Sequence, residues 1–298
     1  MPQNGEVRWT NLTQSQIGEC LLSNGLCVSL YYVRMLLKLC GYKKRKMLKM
    51  KTVQEVEHRN EQFEYIAACR DLFEQKGLPI LSIDTKNKEL LGDYGRSGKA
   101  YSTATRTTSD HDFAKKGDIK MVPHGIYDVS KNRGYITLGT NQDTSEFVCD
   151  NLERCWTEHL QYEYPNADTM LILCDGGGSN AAAHYIVKMD LIKLANKLKV
   201  NILVAHYPPY CSKWNPIEHR LFAQISHTWD GLSLYDLAFV KNITDTTTTK
   251  TGLKVITTIN EKVYQKAREV PQEFKDNIKL KVHFDDKLPK WNYLIKVA

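Results

Sequence analysis

No segment of this 298-residue sequence approaches the ~18 consecutive apolar residues that a membrane-spanning helix needs. The opening stretch, Met1 to Thr10, is polar and carries no signal-peptide pattern, so the sequence predicts a cytoplasmic protein with no membrane partner. None of the eight cysteines (20, 27, 40, 69, 149, 155, 174 and 211) lies in a CxxC pair, which excludes the common zinc ribbon and finger spacings. Several sit inside apolar runs, as reduced core thiols do. The Gly176–Gly178 run lacks GxGxxG spacing and no GK[ST] follows it, so neither a dinucleotide fold nor a P-loop is indicated.

Acid is missing from one place in particular. Between Arg34 and Lys51 stand eight basic residues and no carboxylate: Arg34, Lys38, Lys43, Lys44, Arg45, Lys46, Lys49 and Lys51. The net charge is +7, and removing those eight leaves the remainder at −1. Basicity this local marks a footprint for a polyanion, with a solvated basic linker as the ordinary alternative.

What is present divides the chain into four stretches. Gln14–Leu22 and Leu30–Cys40 have the pattern of two short helices joined across Ser23-Asn24-Gly25, with Ser29 as N-cap and Gly41 at the C′ position. Val33, Leu36, Leu37 and Cys40 repeat at helical spacing and are expected to face the partner helix. Residues 1–50 thus resemble a helix-turn-helix. Residues 51–78 form a charged helical connector. Residues 79–240 alternate strand and helix: strands at 79–83, 124–129, 135–140, 169–174 and 201–206, with helices at 143–161, 180–198 and 216–228. The Asp143-Thr-Ser-Glu146 spacing suggests a capping box. Residues 241–298 are weakly patterned and carry no assigned role.

Within 79–240, three carboxylates stand at the ends of elements. Asp84 closes the first strand, Asp175 closes the fourth 91 positions later, and Glu218 opens a helix 43 positions after that. In a three-layer α/β fold the first and fourth strands can lie side by side, which brings the two aspartates together with Glu218 across from them. Three converging carboxylates repel one another unless a cation sits among them. Hard divalent ions accept such oxygens, and two of them about 4 Å apart can drive an in-line phosphoryl displacement. The glycines after Asp175 would let a nucleic-acid strand approach the backbone closely. Each acid also has a plain use: the aspartates as turn formers at strand ends, and Glu218 as a capping partner in Asn215-Pro216-Ile217-Glu218.

The blocks around these acids carry a resemblance. Ser82-Ile-Asp84-Thr-Lys-Asn-Lys-Glu89, Leu173-Cys-Asp175-Gly-Gly-Gly-Ser-Asn180 and His206-Tyr-Pro-Pro-Tyr-Cys-Ser-Lys-Trp-Asn-Pro-Ile-Glu218-His-Arg-Leu-Phe222 resemble the catalytic blocks of DDE transposases, in particular the ISAzo branch of insertion-sequence transposases. His111-Asp-Phe113, Gly125-Ile-Tyr-Asp128 and Asp143-Thr-Ser-Glu-Phe147 are similar to that family's intervening segments, and the likeness runs from about Arg8 onward. It implies a ribonuclease-H-like three-layer core with a mixed central sheet, preceded by the small helical unit. It also implies Mg²⁺ or Mn²⁺, two ions in all, with cutting and joining of DNA ends by a homodimer or larger assembly on paired ends.

The resemblance carries catalytic and metal-holding roles onto Asp84, Asp175 and Glu218. DNA contacts are expected from Arg34, Lys38, Lys43, Lys44, Arg45 and Lys46, and from Lys86, Lys213 and Trp214 beside the blocks, the last with surface and core uses as alternatives. A truncated DNA-binding derivative, or a nuclease of the same fold, is the alternative function. Two departures stand out: members usually carry more sequence ahead of this one's start, and Pro216 occupies a place where lysine is expected.

Overall fold

The computed structural model describes residues 8–45, 56–109, 118–177, 180 and 183–298. Lys46, Lys49 and Lys51 of the basic run, His111-Asp-Phe113 and Gly178-Ser179 therefore lie outside the described residues. The chain divides into two compact units, residues 1–53 and 54–298.

The smaller unit holds α1 (Gln14–Ser23) and α2 (Leu30–Leu39). Thr13 and Gln16 form a capping box ahead of α1: Thr13 Oγ1 accepts the Gln16 N–H at 3.3 Å, and Gln16 Oε1 accepts that of Thr13 at 2.8 Å. Gly41 closes α2 with φ +77°, as its place in the sequence suggests. Of the four residues expected to face α1, Val33 is buried and Leu37 half-buried, while Leu36 and Cys40 are exposed. The helices approach at Gly18, where a Cβ would touch Leu30 and Val33. The contact stripe thus runs along Leu30, Val33 and Leu37, which turns Leu36 and Cys40 away.

In the larger unit α3 (Arg59–Lys76) leads into β1 (Ile80–Thr85), β2 (Glu89–Leu90), β3 (Lys120–Asp128) and β4 (Arg133–Gly139). Then follow α4 (Ser145–Cys155), continued through a π-helical turn at Trp156–Leu160 into α5 (Gln161–Glu163), then β5 (Thr169–Cys174), α6 (Tyr185–Leu198) and β6 (Asn201–His206). A second π-helical turn, Glu218–Phe222, opens α7 (Ala223–Trp229), and α8 (Leu237–Asp245), β7 (Lys254–Asn260), α9 (Gln272–Asp276), α10 (Ile278–Lys281), β8 (His283–Phe284) and β9 (Asn292–Ile295) complete the chain. The strands order as β7-β4-β3-β1-β5-β6-β9-β8, with β2 on β3. β3 is antiparallel to both β1 and β4, while β1, β5 and β6 run parallel. Helices cover both faces. This is a mixed α/β, ribonuclease-H-like core.

Period-2 alternation sorts side chains between two apolar layers. Leu81, Ile83, Met170, Ile172, Cys174, Ile202 and Val204 enter the layer that holds Val148 and Leu152 of α4 and Leu191 and Leu194 of α6. Ile80, Leu171, Leu173 and Ala205 enter the other, with Ile66 and Phe73 of α3, Ile225 and Trp229 of α7 and Val240 of α8. Two glycines let the segment before α7 lie against the sheet. A Cβ on Gly125 would stand 2.6 Å from Phe222 and 2.8 Å from Ile217, and one on Gly134 2.3 Å from Leu221.

Several boundaries differ from the sequence reading. β3 starts at Lys120 rather than 124, running through Pro123, because β1 ends at Thr85 opposite His124 and Pro123 needs no amide for that ladder. The cap of α4 is Thr144, whose Oγ1 accepts the Phe147 N–H at 3.2 Å, while Asp143 accepts from Thr85 Oγ1 at 3.3 Å instead. α6 begins at Tyr185, not 180. The weakly patterned end contributes two strands to the same sheet: β7 pairs in parallel with β4, and β9 antiparallel with β6. Asp245 Oδ1 accepts the Thr257 N–H of β7 at 2.6 Å, which occupies part of that edge.

Candidate active site

The site begins with register. β1 and β5 pair as Ile80↔Leu171, Leu81↔Ile172 and Ser82↔Leu173, an offset of 91. Two residues further along the same offset sets Asp84 level with Asp175. By alternation Asp84 follows Ile80 and Ser82, and Asp175 follows Leu171 and Leu173. Both aspartates therefore project toward the face that carries α3, α7 and α8. Each also serves its strand end: Asp84 Oδ1 accepts the Thr85 N–H at 2.7 Å, and Asp175 Oδ1 accepts that of Gly177 at 3.2 Å. That local use explains neither their shared level nor their shared face.

Glu218 is brought to them by a buried polar clamp. Ser82 Oγ donates to Asn215 Oδ1 at 2.5 Å and accepts the Ile217 N–H at 3.0 Å, and Asn215 Nδ2 donates to the Ile83 carbonyl at 3.3 Å. Ser82 and Asn215 are fully buried. Asn215 therefore spends its side chain on β1 rather than on capping the helix that follows. Ile217, Leu221 and Phe222 fill the hollow left by Gly125 and Gly134, and Glu218 is left half-buried at the start of a π-helical turn. Such turns gather at functional sites.

The electrostatics agree with this placement. Burial, then the negative charge of Asp175, then the charge of Glu218 and a hydrogen bond with it, hold the Asp84 carboxyl well above the usual carboxylate range, against the Thr85 amide that pulls it down. Three half-buried carboxylates thus act on one another, and the crowding favours the protonated form of Asp84. A divalent cation would relieve the same repulsion, and the donor set is all hard oxygen, so the residues fit a Mg²⁺-type ion. As they lie, no three acidic, histidine or cysteine side chains among the described residues enclose a single ion.

Residues 1–297 match the family model described as the Rhodopirellula transposase DDE domain. The chain belongs to this family of DDE transposases. Its members are metal-dependent polynucleotidyl transferases that act in DNA transposition and recombination. No curated protein matches the chain. Among solved structures it is similar to the Mos1 transposase paired-end complex with left transposon end, with a TM-score of 0.47 and 16% identity over 81% of this chain and 72% of that one. The Mos1 mariner paired end complex with Mn gives 0.47 and 14% over 80% and 72%. The pre-cleavage Mos1 transpososome gives 0.45 and 13% over 81% and 72%.

The residues expected to contact DNA are placed unequally in this transposase. Lys86 is turned inward: its Nζ lies 2.9 Å from Glu89 Oε1 and 4.9 Å from the centre of the Trp229 ring, with 12% of the side chain exposed. Arg96 holds the same glutamate at 2.5 Å. Burial pushes the Glu89 carboxyl up, and the hydrogen bonds from Arg96 and Lys86 outweigh it and bring it below its ordinary value. Half-buried Lys86 is thus paired with Glu89 and set over Trp229. Lys213 and Trp214, by contrast, are exposed on the 3₁₀ turn Ser212–Trp214 ahead of Glu218, with Lys213 Nζ 5.5 Å from the Trp214 ring centre and Phe63 edge-on to that ring at 6.1 Å. Arg34, Lys38, Lys43, Lys44 and Arg45 are all exposed on the smaller unit.

Sequence reasoning passed over Ser82 and gave Asn215 the wrong task. The available signal was a serine inside the apolar run Pro79-Ile-Leu-Ser-Ile83, two places before Asp84 and so on the same face. Among the described residues no helix is long and apolar enough to cross a membrane.

Proposed function

We propose that Asp84, Asp175 and Glu218 hold two divalent cations, Mg²⁺ or Mn²⁺, and that this site cuts and joins the ends of an insertion sequence. The observation that carries the reading is the β1/β5 register, which sets Asp84 level with Asp175 on the face where the Ser82–Asn215 clamp delivers Glu218. When bound, the cations supply Lewis acidity to the attacking and leaving oxygens of a phosphodiester displacement. The chain's own part is to hold Asp84 and Asp175 at one level with Glu218 beside them, to deprotonate Asp84 against the crowding that favours its protonated form, and to leave bare glycine backbone beside Asp175 for the strand to approach.

In this reading Arg34, Lys38, Lys43, Lys44, Arg45 and Lys46 bind the phosphate backbone of the element ends. Lys213 and Trp214, exposed on the turn ahead of Glu218, meet DNA beside the cut. Strand transfer requires two ends held together, which a homodimer or larger assembly provides.

The test is cleavage of labelled duplexes drawn from either flank of the protein's own gene, with Mg²⁺, Mn²⁺ or chelator, beside Asp175→Asn. Metal-dependent cuts at one position, lost in the variant, are expected. Binding with no cut under any metal would overturn the reading in favour of a DNA-binding derivative.

A further inference from the structure

His206, the last residue of β6, is fully buried and both its ring nitrogens are engaged. Nδ1 lies 2.8 Å from the Trp291 carbonyl and Nε2 2.9 Å from the Asn180 carbonyl. From Asn180 a chain of bonds runs to the site: the Asn180 N–H donates to the Gly177 carbonyl at 3.2 Å, and the Gly177 N–H donates to Asp175 Oδ1 at 3.2 Å. On its other side His206 is fixed from two directions. Its own N–H donates to the Trp291 carbonyl at 3.1 Å, and Gln62 of α3 donates through Nε2 to the His206 carbonyl at 2.8 Å. Gln62 is in turn paired with Asn292 by two 2.7 Å bonds. Gln62, His206 and Asn292 are all at 0% exposure.

Resting on the metal-site reading above, we infer that His206 is a positioning residue for Asp175: its ring ties Asn180 to the paired strands β6 and β9 and, through the Asn180–Gly177 and Gly177–Asp175 bonds, sets the Asp175 carboxylate for metal. The chemistry of the contacts sharpens this. Both partners are carbonyl oxygens, which only accept, so the ring N–H can be donated toward either the Asn180 or the Trp291 carbonyl and holds the ring between them. Burial, the largest influence, brings the His206 ring below its ordinary value, against the two backbone contacts and Asp175, which favour the charged form. A core histidine that merely filled space would need neither carbonyl.

The experiment compares the full chain with His206→Ala and His206→Gln, and with Asp84→Asn, Asp175→Asn and a distant core truncation, Ile136→Ala. Three quantities are read: Mn²⁺ affinity by calorimetry without DNA, amide exchange of the peptide carrying Gly177 and Asn180, and kcat and KM for cleavage. His206→Ala is expected to weaken Mn²⁺ binding roughly 10- to 100-fold and to speed exchange of that peptide, lowering kcat with KM for DNA unchanged. Glutamine, which can keep one of the two contacts, should fall between. Parental Mn²⁺ affinity and parental exchange in His206→Ala would overturn the inference, as would an equal loss of Mn²⁺ binding in Ile136→Ala. Should the alanine variant fail to fold, His206→Gln decides by the same two readouts. If Mn²⁺ binds the Asp84→Asn and Asp175→Asn variants as tightly as the parent, the metal-site reading itself has failed. Retention by His206→Ala alone removes only the role of His206.

Discussion

The hydroxyl of Ser82 donates to Oδ1 of Asn215 at 2.5 Å across 133 residues of chain, inside the protein. It lies two residues before Asp84 and three before Glu218, so one bond fixes the relative position of two of the three acids. Because both groups are buried, removing either leaves its partner without the bond that offset its desolvation. Ser82→Ala is expected to cost about 1–3 kcal/mol of stability and to lower kcat more than DNA affinity. Asn215→Ala should do the same, and the double variant should cost clearly less than the two together. Denaturant unfolding of the four proteins measures this; strict additivity would show that the clamp does not act as a unit.

Gly125 lies opposite Asp84 in the β1/β3 ladder, and a Cβ there would stand 2.6 Å from Phe222. Gly125→Ala should therefore destabilise by about 1–3 kcal/mol through overpacking. It should also displace Glu218 from its neighbours. Adding Phe222→Leu ought to restore part of the loss, measured as thermal midpoint and cleavage rate. No rescue would mean that the helix finds room elsewhere.

Asp84→Asn and Asp175→Asn should separate function from stability. Cleavage is expected to fall about 10²-fold or more. Stability should hold or rise, because a neutral amide removes the repulsion that pushes the Asp84 carboxyl up. A melting temperature well below the parent's in both variants would contradict the crowding of charge at this site.

Metal binding should release a proton. The Asp84 carboxyl is raised from 3.8 to about 8, so across that range the metal-free folded state binds a proton that the unfolded state has lost, and stability falls as pH rises from about 4 to about 8. A divalent cation needs the deprotonated form, so its affinity should rise with pH across the same window. Calorimetry of Mg²⁺ binding in buffers of different ionisation enthalpy gives the proton count, and a count of zero near the lower end of that window would refute it.

His124 on β3 has the opposite sign. It is fully buried, neither ring nitrogen has a partner among the described residues, and burial lowers its pKa to about 3 from 6.5. The unfolded chain binds the proton first, so stability is lost as pH falls from about 6.5 toward about 3, at up to ~1.4 kcal/mol per unit. His124→Leu should flatten that slope without loss at pH 8. An unchanged slope would point to another group.

By itself the sequence determined the order of the main elements from β1 to α7 apart from the short β2, the period-2 runs of β1 and β5, and the shared spacing of 91 that lets Asp84 and Asp175 meet once those strands pair. Those features are local or follow from register. It also determined the identity of the three acids and the concentration of positive charge before residue 51.

What only the tertiary structure decided were contacts between distant residues. Lys86 looks like a surface lysine until Trp229 and Glu89 arrive to take it. The stretch Lys254–Asn260 is a weak strand alone and becomes β7 because β4 offers it an edge, and Asn292–Ile295 becomes β9 on β6 for the same reason. Asn215 reads as a helix cap until Ser82 lies within reach. Periodicity reports which face of an element is apolar. It does not report which polar group, more than a hundred residues away, the folded backbone will bring opposite, because that depends on the packing of every layer between them.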